Sequence, residues 1–319
     1  MTNDELKAFF ADNPWIDNSL IGTIRGCKRK AFWHIIGPSA DYSQPLINRG
    51  LAITVGSGAD FGSAFHAGIA RYYTGWGHAD ESTRRIWACR AFAQEWGQHF
   101  PTERMQSKHR LDNGLDILDQ YFDKYLDEDP LFQPVEAEMG FAVPINTPSG
   151  IVYNVGRIDG IFKRLADGTY WPRETKTTSF DPEKRLAQLK FDNQPVSYTA
   201  SLRKVLPELH ISGFLGDVIQ VKTKTTATSF CRNYFTIDEQ QCTDWEQQII
   251  FDIEDWYARV ERAKEIGLNA FTQDTTRCFE YGRCSFYDLC DYGLSELVKF
   301  GLSEWHPLLQ RTPKRIEIL

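Results

Sequence analysis

The chain has 319 residues, of which 42% are hydrophobic and 25% are charged, and its net charge is −7. This composition is typical of a globular protein with a sizeable core, and the negative charge argues against a general binder of polyanions. There is no run of about 18 apolar residues, and no basic stretch precedes an apolar one at the N-terminus, so neither a membrane helix nor a secretory signal is expected. We therefore expect a cytoplasmic protein with no membrane partner, in which thiols stay reduced.

The first part of the chain is predicted to be helical and the second to contain the strands. Three segments carry apolar residues at helical spacing: 60–73, 81–96 and 114–126. From about Val135 the period changes to two, which predicts strands over four segments and an Asp-Gly hairpin within 166–179. The four strand segments are 136–145, 151–165, 211–223 and 229–238. A polar crossover helix over 182–205 and a long amphipathic helix over 238–267 complete the pattern, which predicts an α/β fold with a central mixed sheet flanked by helices.

The Asp167-Gly168 pair indicates a hairpin with a two-residue loop. In that register Ile161 faces Glu174 and Asp159 faces Lys176. Alternation then places Asp159, Glu174 and Lys176 on one face of the sheet, with the two carboxylates as diagonal neighbours. Carboxylates so placed suit Mg²⁺ or Mn²⁺, and a lysine beside them suits a role in orienting or activating a water. The alternative is a solvent-facing strand with a chance ion pair.

These strands resemble two motifs of the PD-(D/E)XK nuclease superfamily, in its RecB-like branch. "VGRIDGIF" resembles the acidic strand of that family, and "ETKTTS" resembles its E-x-K strand. Three further segments match the branch in the family's own order: "GSAFHAGIARYY" (62–73), "VEAEMGF" (135–141) and "QPVSY" (194–198). Each motif is weak alone, and together they span roughly residues 56–198.

The resemblance implies a metal-dependent deoxyribonuclease. It implies that Asp159 and Glu174 hold Mg²⁺ or Mn²⁺ and that the backbone carbonyl of Thr175 is a further ligand. His66 would complete the metal shell from a helix above the sheet, and Glu138 is a further candidate ligand. A histidine on an apolar helical face is more often a packed side chain, so the ligand role of His66 depends on the motif around it.

The same resemblance assigns polar side chains to water and DNA. Lys176 would position the attacking water and stabilise charge on the phosphate. Gln194 and Tyr198 lie four residues apart on one helical face, so both would reach towards DNA or the motif strands, with packing of the crossover helix as the alternative. Apart from the resemblance, the basic clusters at 27–30 and 222–224 make Lys28, Arg29 and Lys30, and also Lys222 and Lys224, candidates for DNA contact, with solvated surface lysines as the alternative.

Seven cysteines, an odd number in a reducing compartment, argue against a disulfide framework. Three of them are evenly spaced in "CFEYGRCSFYDLC" (278–290). This pattern is compatible with metal ligands and with packed free thiols. In a subset of RecB-like nucleases that includes the CRISPR adaptation nucleases and the AddB type, one N-terminal and three C-terminal cysteines hold a [4Fe–4S] cluster. "SLIGTIRGCKRKAFW" (19–33) resembles the N-terminal piece.

The resemblance implies that Cys27, Cys278, Cys284 and Cys290 hold a [4Fe–4S] cluster as a clasp that joins the N- and C-terminal segments. Structural zinc also uses four thiolates and stays an alternative. The family places two residues between its first two C-terminal cysteines, whereas this chain has five, so Cys278 is the weakest match. The remaining cysteines, Cys89, Cys231 and Cys242, fit packing positions.

We therefore expect a nuclease, and more narrowly an exonuclease, that acts on single- or double-stranded DNA ends in a bacterial or phage-infected cell, with a recombination or replication protein as a candidate partner. A non-catalytic DNA-binding module of the same fold and an iron–sulfur electron carrier are the alternatives. Residues 1–319 are predicted to form a single nuclease domain. Its parts are the first half of the clasp (15–34), a helical region (60–130), the nuclease core (133–240) and a C-terminal helix with the cysteine segment (241–319).

Overall fold

A computed structural model describes residues 2–39, 42–43, 46, 50–53, 57–99, 107–223, 228–280, 282–303, 306–309 and 315–319. The α-helices in these ranges are α1 (Asn3–Asp12), α2 (Asn18–Gly26), α3 (Lys28–Ile35), α4 (Ser57–Thr74), α5 (Glu81–His99), α6 (Leu111–Tyr125), α7 (Pro182–Leu189), α8 (Asn193–Val205), α9 (Glu239–Ile266) and α10 (Tyr287–Asp291). The strands are β1 (Trp15–Ile16), β2 (Phe132–Thr147), β3 (Gly150–Arg164), β4 (Tyr170–Thr178), β5 (Gly213–Gln220), β6 (Phe230–Thr236) and β7 (Arg315–Ile318). No helix of the described residues is long and apolar enough to cross a membrane.

The strands form one mixed sheet in the order β6-β5-β4-β3-β2-β7, with β1 parallel beside β3. β4 runs antiparallel to β3 and parallel to β5, and β5 runs antiparallel to β6. The parallel pair β4–β5 is connected through α7 and α8, as parallel strands require a crossover of a dozen or more residues. The predicted α/β fold with a central mixed sheet flanked by helices is confirmed.

The crossover differs from the single helix predicted over 182–205. It consists of α7 and α8, which are separated by a short turn at 190–192. The Phe191 N–H donates to the Gln188 carbonyl at 2.9 Å, and Arg185 pairs with Asp192 at 2.9 Å. Local polar contacts therefore stabilise the turn. The spacing of apolar residues does not report such contacts, so it did not predict the break between α7 and α8.

The hairpin between β3 and β4 has a longer loop than predicted. The Arg164 N–H donates to the Thr169 carbonyl at 2.8 Å, and the Gly168 N–H donates to the Arg164 carbonyl at 2.9 Å, so residues 165–168 form a four-residue loop. The Asp167 carboxylate accepts from the Thr169 N–H and hydroxyl. Gly168 has a φ of 73°, which glycine adopts without steric cost.

The predicted register is therefore wrong by two residues. Ile161 faces Pro172 rather than Glu174, and the β3–β4 ladder ends at Gly160 facing Arg173, so Asp159 does not face Lys176. A shift of two residues keeps each side chain on its side of the sheet, whereas a shift of one would reverse it. The predicted alternation along β4 survives the error.

The chain divides into two compact units. One comprises Met1–Thr54, Gly140–Arg157 and Cys242–Leu319, and the other comprises Val55–Met139 and Ile158–Gln241. We call them the cysteine unit and the catalytic unit, after the candidate residues that each contains. The core of the cysteine unit includes Leu6, Phe10, Trp15, Ala142, Val155 and Leu308. In the catalytic unit α4, α5 and α6 bury an aromatic core in which Phe61, Phe65 and Phe92 pack edge to face. A single domain over 1–319 stays a prediction.

The catalytic unit buries an ionic network. Arg232 on β6 lies 3.0 Å from Asp129 and 3.2 Å from Asp217 on β5, and no more than 6% of any of these side chains is exposed. The Tyr121 hydroxyl donates to Asp217 and accepts from Arg232. These contacts connect β5 and β6 to α6 through charged side chains that are almost fully buried.

We expect Asp217→Ala to lower the free energy of unfolding by about 3–5 kcal/mol, because it leaves Arg232 buried with one counter-charge fewer. Glu265→Ala serves as the control, since it removes the exposed Arg262–Glu265 pair at 3.1 Å and should leave the stability nearly unchanged. Urea unfolding followed by circular dichroism measures both. Equal effects of the two substitutions would contradict a structural role for the buried network.

Candidate active site

Three side chains of the kinds that bind metal ions meet in the catalytic unit. His66 comes from α4, Glu138 from β2 and Asp159 from β3, and their donor atoms all lie within 4.8 Å of one another. His66 Nδ1 is 3.0 Å from Asp159 Oδ1. Among the described residues this is the one group of three histidine, cysteine or carboxylate side chains with that spacing. Carboxylate and imidazole donors at this separation suit a small divalent cation.

Asp159 lies where the β3–β4 ladder ends. Its Oδ2 accepts a hydrogen bond from the Thr175 backbone N–H at 2.7 Å. Beyond the last backbone pair of the ladder, a side chain therefore replaces the backbone carbonyl as the acceptor. Burial acts to raise the pKa of Asp159, but the charge and hydrogen bond of His66, together with the Thr175 N–H, lower it to about 2. Burial likewise acts to lower the pKa of His66, and the attraction of Asp159 outweighs it and raises that pKa. Asp159 is therefore an anion at neutral pH.

Glu174 differs from Asp159 in its surroundings. Its Oε1 lies 2.5 Å from Lys176 Nζ, while its Oε2 is buried and has no hydrogen-bond partner among the described residues. Burial and the nearby charge of Asp159 outweigh Lys176 and raise the pKa of Glu174 to about 7. A buried carboxylate oxygen is costly to leave unpaired unless it coordinates a metal. Glu174 lies outside the group of three donors, and its free oxygen fits the addition of a cation.

The predicted residues of α8 are connected to this pair. Lys176 Nζ donates to Gln194 Oε1 at 2.9 Å, and Gln194 Nε2 donates to the Tyr198 hydroxyl at 2.7 Å. Burial acts to lower the pKa of Lys176, but the carboxylate of Glu174 raises it overall, so Lys176 stays protonated. The structure thus brings Glu174, Lys176, Gln194 and Tyr198 into one chain of contacts.

The backbone conformation of Glu138 is unusual and could not be predicted from the sequence. Its φ is 57°, and it is the one residue other than glycine with a positive φ in the described part of the chain. Such a backbone costs of order 1–3 kcal/mol and persists where the surroundings fix it, most often at functional sites. This strain, together with its place beside His66 and Asp159, favours Glu138 as part of the site.

Two of the three basic residues predicted to contact DNA make contacts within the cysteine unit. Lys28 pairs with Asp255 at 2.9 Å, and Arg29 Nε donates to the Phe271 carbonyl at 3.0 Å. Lys30 is half-buried. Their contact with DNA stays a prediction, and Lys224 lies outside the described residues.

The cysteine unit brings Cys27 to the C-terminal segment, 247 residues away in sequence. Cys27 is the residue between α2 and α3, and the Asp274 N–H donates to its Sγ at 3.4 Å. The Cys284 N–H donates to the Cys278 carbonyl at 2.8 Å, and Gly282 between them has a φ of 93°. The backbones of Cys278 and Cys284 are therefore in contact, although five residues separate the two cysteines instead of the family's two.

A buried donor lies beside the fourth cysteine. The Trp33 indole N–H is buried and has no hydrogen-bond partner among the described residues, yet it lies near the Cys290 thiol. Burial raises the pKa of that thiol, and the indole N–H opposes the rise. A buried N–H near a thiol favours the thiolate, the form in which cysteine binds iron or zinc. Among the described residues no three of the four cysteine sulfurs lie within 4.8 Å of one another, so a metal group held by these cysteines stays a prediction.

An acidic pair and a lysine on the central strands of a mixed sheet, with a histidine and a third carboxylate beside them, suit metal-dependent cleavage of a phosphodiester bond. The sequence profile of the PD-(D/E)XK nuclease superfamily matches residues 21–291, and the chain belongs to this superfamily. No curated protein sequence matches the chain. Among solved structures, the crystal structure of SSO0001 aligns with 72% of this chain and 85% of that chain, at 16% identity and a TM-score of 0.32.

Because the pKa of Glu174 is raised in the folded protein, we expect Glu174 to contribute less to the stability as the pH rises. The folded protein keeps the Glu174 proton up to about pH 7, whereas the unfolded chain releases it near the ordinary value of 4.5, so folding takes up a proton between these values. The contribution of Glu174 to stability is therefore lost as pH rises from 4.5 through about 7. Glu174→Gln has no such proton to lose.

We expect the melting temperature of metal-free Glu174→Gln, minus that of the wild type, to increase as pH rises from about 5 to 8. Thermal unfolding in a chelating buffer over this range measures the difference. A constant difference would show that the Glu174 carboxyl is not held protonated in the folded state.

Proposed function

We propose that the protein is a DNA exonuclease that hydrolyses phosphodiester bonds with Mg²⁺ or Mn²⁺. The observation that carries this proposal is the buried, unpartnered Oε2 of Glu174 in a catalytic unit that also brings together His66, Glu138 and Asp159. Superfamily membership supports the nuclease class. The preference for DNA ends, the action within a bacterial or phage-infected cell and a recombination or replication protein as partner come from the resemblance to the RecB-like branch.

The chain supplies the metal ligands and the charges around the reacting phosphate. His66, Glu138, Asp159 and Glu174 would hold the ion, with the Thr175 carbonyl as a further ligand. When bound, a divalent ion polarises the phosphate and makes water a better nucleophile. Each protein group fixed before the reaction contributes stabilisation without reorganising during it.

Lys176 acts in this proposal as a fixed cation. Because Glu174 keeps it protonated, Lys176 donates hydrogen bonds and offsets negative charge on the phosphate, and it does not remove a proton from water. Gln194 accepts one of its hydrogen bonds and so sets the direction of the ammonium group, and Tyr198 fixes the Gln194 amide. Gln194 and Tyr198 are positioning residues.

We expect Asp159→Ala to lower Mn²⁺-dependent cleavage of DNA by about 10³-fold or more, because it removes a metal ligand that accounts for several kcal/mol of transition-state stabilisation. Asp116→Ala is the matched control, an exposed aspartate on α6 of the same unit. Release of nucleotides from end-labelled single- and double-stranded DNA measures both. Absence of cleavage by the wild type with either ion would overturn the proposal.

We further propose that Cys27, Cys278, Cys284 and Cys290 hold a structural [4Fe–4S] cluster. Supporting this are the contact of Cys27 with the Asp274 N–H and the buried indole N–H of Trp33 beside Cys290. Hydrogen bonds from N–H groups to sulfur are a recognised means by which proteins tune such clusters. The proposed role is to close a long loop between chain segments, which stabilises the fold of the cysteine unit.

We expect Cys27→Ser to lose bound iron and sulfide and to lower the melting temperature by several degrees, since metal binding contributes directly to folding. Cys231→Ser, on β6 of the catalytic unit, is the control and should retain both. Iron, zinc and acid-labile sulfide analysis of anaerobically purified protein, with visible absorption, measures the outcome. Zinc without sulfide in the wild type would contradict an iron–sulfur cluster and leave the nuclease proposal intact.

A further inference from the structure

Two phenylalanines of the catalytic unit stand almost wholly in solvent. Phe180 is 79% exposed and Phe191 is 85% exposed. Phe180 follows the end of β4, and Phe191 lies in the turn between α7 and α8. Aromatic side chains this large are mostly buried, so two exposed rings on one short segment call for an explanation.

Both rings lie close to the candidate active site along the chain. The hydrogen bond between Lys176 and Gln194 closes the segment 176–194, and both phenylalanines belong to it. Phe180 comes four residues after Lys176, which limits the distance between their Cα atoms to about 14 Å. Phe191 comes three residues before Gln194, which limits that distance to about 11 Å. Each ring is therefore within a few nucleotides' reach of the site.

The backbone under both rings is held by hydrogen bonds. The Phe180 N–H donates to the Thr178 hydroxyl at 3.1 Å, and its carbonyl accepts from Gln220 Nε2 at 2.7 Å. The Phe191 N–H donates to the Gln188 carbonyl at 2.9 Å. Both rings are therefore exposed on segments whose backbone is fixed by hydrogen bonds.

Polar groups and charges of both signs surround the two rings, including Asp181 after Phe180 and Asp192 after Phe191, of which Asp192 pairs with Arg185 at 2.9 Å. Lys108 Nζ donates to the hydroxyl of Ser179, the residue before Phe180, at 3.1 Å, and the exposed Lys190 precedes Phe191. Between the rings, the exposed residues of α7 are mainly polar or charged, and its leucines are buried. A protein partner usually covers a contiguous apolar patch. Separate aromatic rings beside cations are instead typical of surfaces that bind unpaired nucleic acid.

We propose that Phe180 and Phe191 stack on unpaired bases of the DNA strand that enters the active site. This inference rests on the proposed nuclease function and narrows its substrate to single-stranded DNA, including the separated strand at a frayed end. Stacking needs only the face of a base, so the rings select unpaired over paired DNA without selecting a sequence. Lys108 and Lys190 would face the phosphates beside the stacked bases.

The test compares Phe180→Ala, Phe191→Ala and Phe→Leu variants at both positions with the wild type. We expect each alanine and each leucine variant to weaken binding of a single-stranded oligonucleotide by about tenfold, because each removes one stacking surface. Phe→Trp at either position should restore binding, since it keeps a ring. Fluorescence anisotropy in EDTA measures binding without cleavage, and quenching of 2-aminopurine in the oligonucleotide reports stacking itself.

Phe251→Ala is the control, a 68% exposed phenylalanine on α9 of the cysteine unit, and it should bind like the wild type. In cleavage assays with Mn²⁺ the alanine variants should raise KM for single-stranded DNA and leave kcat nearly unchanged. Wild-type binding by all four Ala and Leu variants would overturn the inference and assign the rings to protein contact. Leucine variants that bind like the wild type would also overturn it, because apolar area and not stacking would then be the cause. Each of these outcomes leaves the cleavage test of Asp159→Ala unaffected.

Discussion

The candidate active site is governed by two neighbouring carboxylates, of which Glu174 is buried and the Asp159 side chain is 13% exposed. Asp159 and Glu174 repel each other in an interior that penalises charge, and the protein resolves this by treating them differently. His66 and the Thr175 N–H lower the pKa of Asp159 to about 2, whereas burial and the charge of Asp159 outweigh Lys176 and His66 and raise the pKa of Glu174 to about 7. At neutral pH Asp159 is an anion, whereas Glu174, with a pKa of about 7, is near the midpoint of its titration. In the proposed function a divalent ion held by the two carboxylates would offset their repulsion and give the buried Oε2 of Glu174 a partner.

The end of the β3–β4 ladder provides the space for this arrangement. Beyond Gly160 and Arg173 the two strands no longer pair through their backbones, and the Asp159 side chain accepts the Thr175 N–H instead. A continued ladder would satisfy that N–H through the backbone and leave the carboxylate without its donor. The same hydrogen bond thus closes the strand pair and lowers the pKa of Asp159. This contact therefore links the backbone geometry at the end of the ladder to the pKa of Asp159, on which His66 has the larger effect.

Periodicity predicted the sheet well because it is a local property of the chain. The placement of Glu174 and Lys176 on one side of β4 survived a wrong register, since an even shift preserves alternation. The loop length was not predictable from Asp167-Gly168 alone, because it depends on how the Asp167 carboxylate bonds to Thr169. The strained backbone of Glu138 and the contact of Lys176 with α8 arise from tertiary packing, which no residue pattern records.

Electrostatic attraction alone should contribute little to the affinity of this protein for DNA. The net charge is −7, and Lys28 and Arg29 already serve contacts within the chain. Affinity built on many phosphate contacts falls steeply with salt, because each contact releases counterions. Here a phosphate would be bound chiefly by a divalent ion at the carboxylates, with uncharged stacking on Phe180 and Phe191 beside it. A protein that binds in this way engages a strand where it is unpaired and does not bind along an intact duplex, which is the behaviour that an enzyme acting at DNA ends requires.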